Sequence, residues 1–138
     1  MNPQLVKVFV YGTLLPGQNN HFIAAPFITG KIEEGYIQAR LVDAGAYPAA
    51  VRDAGSKYVR GAWLTVSLPG LAAMDRLEEF AGIEELNDYE RIWVADAWRT
   101  DNAGWVYVWT DDRDCPPVLR GGTGKTSQGE SFRYYSWI

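Results

Sequence analysis

Two alternating aromatic runs constrain the fold of this chain more than any other feature. Tyr89-Glu90-Arg91-Ile92-Trp93-Val94-Ala95-Asp96-Ala97-Trp98 and Trp105-Val106-Tyr107-Val108-Trp109 alternate with the two-residue period of a strand. Between them, Thr100-Asp101-Asn102-Ala103-Gly104 supplies turn residues, so the pair reads as a β-hairpin. A lone hairpin is marginally stable in water and needs more strands or a helix against it. The rest of the chain must provide them.

It does so in short pieces. Residues 6–11 read as a buried strand, and residues 20–25 as a short helix that Asn19 or Asn20 caps and Pro26 stops. The stretch from Phe27 to Val42 alternates enough for one or two strands. Residues 43–50 read as a turn carrying Tyr47-Pro48, with another extended piece beginning at Val51. Tyr58 to Val66 is a further strand. Ser67-Leu68-Pro69-Gly70 then opens the clearest helix, residues 70–80, with Leu71, Met74 and Leu77 at helical spacing. Six Trp and eight Tyr suggest strands gathered around an aromatic-lined interior. The expected class is α+β, a small antiparallel-to-mixed sheet or barrel with two helices, in one domain over residues 1–138.

Composition removes several functions. Net charge is −4 and no Lys/Arg cluster appears, which argues against nucleic acid as a partner. Met1-Asn2-Pro3-Gln4 has no basic and apolar leader, and no stretch approaches the roughly 18 apolar residues of a membrane span. Cys115 is the single cysteine, set before Pro116-Pro117 in a turn or linker, and a cytoplasmic location follows as the simplest expectation. With one histidine, His21, a His-rich metal centre cannot be built, and no metal or cofactor is expected. His21 itself reads as a packing or solvent-facing residue at a helix start rather than as a catalyst.

The Gly-rich tail contains a decoy. Gly121-Gly122-Thr123-Gly124-Lys125-Thr126 has the look of a phosphate-binding loop, but Leu119 stands where that motif needs its first glycine. No apolar strand precedes the segment and no helical pattern follows it. It reads as a flexible or partner-contacting loop.

Two other segments point to chemistry. The first strand breaks at Tyr11-Gly12-Thr13-Leu14, where backbone N–H groups turned outward would suit an anion. The helix over residues 70–80 carries Asp75, Glu78 and Glu79, with Glu78 toward its apolar side. Such acidic helices are mostly solvated faces. A glutamate held among aromatic rings, however, is raised in pKa by desolvation and suited to proton transfer near neutral pH.

The motifs in order resemble the γ-glutamylcyclotransferase-like superfamily, in particular its small bacterial and AIG2-like branch. The resemblance runs through Val8-Phe9-Val10-Tyr11-Gly12-Thr13-Leu14, Gly45-Ala46-Tyr47-Pro48-Ala49, Val59-Arg60-Gly61, Met74-Asp75-Arg76-Leu77-Glu78, Tyr89-Glu90-Arg91 and the closing Gly129–Tyr135 segment. It implies a small mixed, mostly antiparallel β-barrel with flanking helices. It also implies cyclisation of a γ-glutamyl-amine or γ-glutamyl-amino acid to 5-oxoproline, with release of the amine. Carried over by position, Tyr11, Gly12, Thr13 and Leu14 hold the γ-glutamyl group and Glu78 moves the protons; Tyr47, Tyr89 and Tyr107 complete the expected substrate-binding set. The family often has Gly-Glu where this chain has Gly61-Ala62. Two alternatives stay open at this point, a non-catalytic module binding a small carboxylate and a hydrolase of γ-glutamyl amides.

Overall fold

The structure, a computed structural model, describes residues 4–18, 20–52, 55, 57–73 and 89–137. Its centre is a pair of strands far apart in sequence. β1 (Leu5–Val10) runs antiparallel to β5 (Tyr58–Ser67), from Leu5 opposite Ser67 to Val10 opposite Ala62. β2 (Glu33–Gln38) lies along the other edge of β5, from Glu33 opposite Trp63 to Gln38 opposite Tyr58. β3 (Arg40–Asp43) and β4 (Pro48–Val51) form an antiparallel pair, and β4 joins the parallel edge of β7 at Val51–Trp109.

The aromatic hairpin forms as its alternation predicts. β6 (Tyr89–Ala95) and β7 (Ala103–Trp109) pair antiparallel along their whole length, and β7 adds to β1 in parallel at Val8–Trp105 and Phe9–Val106. β8 (Gly121–Lys125) and β9 (Ser131–Tyr135) close the chain as a second hairpin, with β9 parallel to the start of β5. The sheet is mixed and mostly antiparallel. It curls without closing: among the described strands β3 and β8 end the main path, and β2 and β6 branch from it.

Alternation along β1, β5 and β7 creates two cores. Val8, Val10, Ala62, Leu64, Val66 and Tyr107 face one side, where Leu14, Leu15, Ala24 and Leu71 cover them. Phe9, Tyr11, Trp63, Val106 and Val108 face the other, against Ile37, Leu41 and Val118. Only part of the aromatic content is interior. Trp63 and Trp109 are fully buried, whereas Tyr36, Tyr58, Trp98, Phe132 and Tyr134 pack in tilted and edge-to-face pairs in an outer cluster, with Trp98 still 38% exposed.

Several expectations need correction. The turn read over residues 43–50 is confined to 44–47, with Gly45 at φ 96°, and residues 48–51 are a fully buried strand. The first helix is one turn, α1 (His21–Ala24), continued by a 3-10 turn at Ala25–Phe27 that contains the stopping proline. The second begins at residue 68 rather than 70, with Ser67 Oγ accepting from Gly70 N at 3.3 Å as its N-cap. Its described part ends at residue 73, so Met74 to Phe80 lie outside the described residues.

The tail read as a loop is strand β8. Its glycines are there for its partner strand: a Cβ on Gly122 would lie 2.6 Å from Tyr134 Oη, and one on Gly124 would lie 2.6 Å from Phe132 Cζ. The rings of β9 therefore lie across glycine backbone, which compensates for the weak strand preference of that residue. Among the described residues no helix is long and apolar enough to cross a membrane.

Candidate active site

The segment after β1 turns sharply because three of its carbonyls are tied down. Gly12 O accepts from Leu15 N at 3.0 Å, Thr13 O from Asn20 N at 2.8 Å, and Leu14 O from His21 Nδ1 at 2.8 Å. The last contact puts the imidazole proton on Nδ1. Asn20 Nδ2 also donates to Thr13 Oγ1 at 3.1 Å. The opposite polarity is left open: among the described residues, none accepts from the backbone N–H groups of Gly12, Thr13 or Leu14. Three consecutive donors without an acceptor, in a segment where Gly12 and Leu14 are buried, are a donor set of the kind that suits an anion.

The walls of this turn come from four parts of the chain. Gly12 is required by proximity, since a Cβ there would lie 2.8 Å from Pro48 Cγ. That contact brings the Tyr47-Pro48 segment beside the turn, while the Tyr47 ring itself meets Trp109 edge-on at 6.3 Å in the adjoining cluster. Tyr11 is buried, and its hydroxyl donates to Tyr107 O at 2.6 Å and accepts from Ala50 N at 3.0 Å. One phenol thus ties β1, β4 and β7 together at the start of the turn. Leu14, Leu15, Tyr107, Ala62 and Leu71 share one apolar cluster, so the first turn of the second helix packs against this segment.

The sequence-derived residues divide accordingly. Gly12, Thr13 and Leu14 form the open-donor turn. Tyr11 and Tyr107 lie next to it as its supports, through the Tyr11 hydroxyl and the Tyr107 backbone and ring. Tyr89 begins β6 opposite Trp109. Glu78, with its neighbours Asp75 and Glu79, lies outside the described residues.

Two contributors were missed. Asn20 makes no side-chain cap to α1, and its side chain instead holds Thr13. His21, read as a packing or solvent residue, holds Leu14. The available signal was spacing, because each polar residue stands seven positions after the one it anchors.

This architecture has relatives of low sequence identity. An AIG2-like protein of Mus musculus superposes with a TM-score of 0.60 at 22% identity, covering 82% of this chain and 81% of that one. PH0828 of Pyrococcus horikoshii gives 0.62 at 18% identity, covering 82% and 85%. These likenesses define the fold. Residues 8–124 match the family described as gamma-glutamyl cyclotransferase, AIG2-like. The γ-L-glutamyl-butirosin B γ-glutamyl cyclotransferase of Niallia circulans is 36% identical over 112 residues, 77% of this chain and 68% of that protein. The chain belongs to the AIG2-like γ-glutamyl cyclotransferase family, as its motifs predicted, and cyclotransferase is its enzyme class.

Proposed function

We propose that the chain, as one domain over residues 1–138, cyclises a γ-glutamyl amide of an amine or amino acid to 5-oxoproline and frees the amine. The observation that supports this reading is the polarised turn at Gly12–Leu14, with carbonyls engaged and N–H groups open, packed against the start of the second helix. The substrate's α-carboxylate is the anion for those donors. The relative of Niallia circulans is named for a γ-glutamyl substrate, which agrees with an amide of this kind.

The substrate carries its own nucleophile. Its α-amine attacks the γ-carbonyl carbon, the ring C–N bond forms, and the bond to the departing amine breaks. One proton leaves the attacking nitrogen and one reaches the leaving nitrogen, so a single carboxylate serves both steps. Glu78 is that carboxylate; in the helix read over residues 70–80 it stands two turns after Leu71 on the same side. Holding the amine and carbonyl in reacting geometry supplies on the order of 7–11 kcal/mol, and positioned proton transfer adds roughly 10²–10⁴-fold. Neither metal nor cofactor is required by this chemistry, and a cytoplasmic, small-molecule role goes with it.

The test is turnover of a γ-glutamyl-amine panel by the purified chain, with an N-acylated version of each substrate beside it. Free-amine substrates should yield 5-oxoproline, and Glu78→Gln should lower the rate by about 10²-fold or more with little change in thermal stability. The N-acylated substrates should be inert, because their nitrogen has lost its basic lone pair. Cleavage of a blocked substrate would replace cyclisation with hydrolysis. Binding of glutamate without turnover of any substrate would leave only a binding module.

A further inference from the structure

A cavity lies on the face of β7 opposite Tyr107. Strand alternation sends Tyr107 toward Leu14 and Leu71, and sends Val106 and Val108 the opposite way. There a cavity of about 400 Å³ opens, with Gln38, Ile92 and Val94 at its lining and the buried Ile37, Ala39, Val106 and Val108 behind them. Its size falls in the range of small-molecule sites, roughly 300–1,000 Å³. Two larger side chains stand at its lining: Trp93, 58% exposed and edge-on to Trp105 at 5.2 Å, and Arg52, just beyond the end of β4.

Arg52 sets this cavity apart. Every other arginine among the described residues is committed. Arg40 pairs with Asp112, Arg60 with Glu34 and Arg99 with Glu33. Arg91 and Arg113 lie over Trp105 and Trp109. Arg120 and Arg133 bond to the carbonyls of Trp137 and Leu119. Arg52 has no such partner among the described residues, although the chain carries net charge −4. A guanidinium beside a cavity of mixed lining, with apolar walls and Gln38 among them, presents a forked donor suited to a carboxylate at one end of an apolar body.

We propose that this cavity binds a small apolar or aromatic monocarboxylate, with its hydrocarbon part between β2 and β6–β7 and its carboxylate on Arg52. The site is separate from the Gly12–Leu14 turn, so it holds whether or not the cyclisation scheme does. It would let the protein carry or respond to an organic acid bearing no γ-glutamyl group.

The probe is 3-phenylpropionate, titrated into the methyl- and amide-labelled chain and followed by NMR, with 3-phenylpropanamide as its uncharged twin. Saturable shifts are expected at Ile37, Val94, Val106 and Val108, with a Kd on the order of 1 mM or tighter. The amide should bind roughly tenfold more weakly, and Arg52→Gln should reduce the affinity for the acid to that of the amide. Val106→Phe, which fills the cavity, should abolish binding of both, with the dispersion of the spectrum reporting that the chain is folded. If Val106→Phe does not fold, Ala39→Val narrows the same wall and should weaken both probes. Shifts confined to residues 11–14, equal affinity for acid and amide, or no saturable shift would overturn the proposal.

Discussion

The turn after β1 and the turn after β6 solve the same problem in opposite ways. Each follows a strand of the sheet; the first turn is buried at Gly12 and Leu14, and the second is buried only at Asp96 and Asn102, with residues 98–101 exposed. In the turn from Asp96 to Asn102 the Asp96 carboxylate takes up the neighbouring donors, although Asn102 Nδ2 meets no acceptor among the described residues. Asp96, 3% exposed, takes Tyr36 N at 2.9 Å and Trp63 Nε1 at 3.0 Å on one oxygen, and Trp98 N at 3.0 Å and Arg99 N at 2.9 Å on the other. In the turn from Gly12 to Leu14 the donors meet no acceptor among the described residues. Where the fold needs rigidity, it supplies its own carboxylate. In the turn at Gly12–Leu14 that place is open, as the proposed substrate carboxylate requires.

The comparison can be broken most severely at Asp96. Asp96→Ala strands the buried Trp63 Nε1 and three partly buried backbone donors, and should cost about 3 kcal/mol in denaturant unfolding. Cyclisation per folded molecule should survive; a selective loss of activity with unchanged stability would erase the distinction between the two turns. Gly12→Ala comes next. Its Cβ would collide with the Pro48 ring, so the cost is about 1–3 kcal/mol, and glutamate or 5-oxoproline should no longer shift the amide resonances of residues 12–14. Unaltered shifts would show that this turn does not hold the anion.

Tyr11→Phe removes a hydroxyl that serves Tyr107 O and Ala50 N, and should lower stability by about 1–2 kcal/mol in the same unfolding assay. Because that group supports the turn rather than forming it, KM should change less than in the Gly12 variant. Thr13→Ser should have the smallest effect. It keeps the oxygen that Asn20 Nδ2 meets, so kcat/KM within about threefold of the parent is the expected kinetic result.

The sequence revealed these turns unequally. Gly12 interrupts an apolar strand, so a break there could be read directly. Asp96 looked like one more residue of an alternating run, since nothing local indicates that Tyr36 N and Trp63 Nε1 will arrive from other strands. The long strands were legible from their β-branched and aromatic runs, which in β1, β5 and β7 are buried on both faces. β4 was not, because all four of its residues are buried and Pro-Ala-Ala-Val shows no alternation. β8 was hidden for another reason. Its glycines oppose a strand locally, and only the rings of Phe132 and Tyr134 across the hairpin account for them. In the site, the turn was legible as a motif, while the anchoring roles of Asn20 and His21 were carried only by their seven-residue spacing from Thr13 and Leu14.

The pairing of β1 has a consequence for how the chain is made. Its partners are β5, about fifty residues downstream, and β7, about ninety-five downstream. At a synthesis rate of roughly 5–20 residues per second, Val8 and Phe9 wait several seconds for either of them. Contacts this distant in sequence also place the domain among slow folders, in the millisecond-to-second range. The strand that leads into the Gly12–Leu14 turn therefore stays unpaired until partners far downstream have been made.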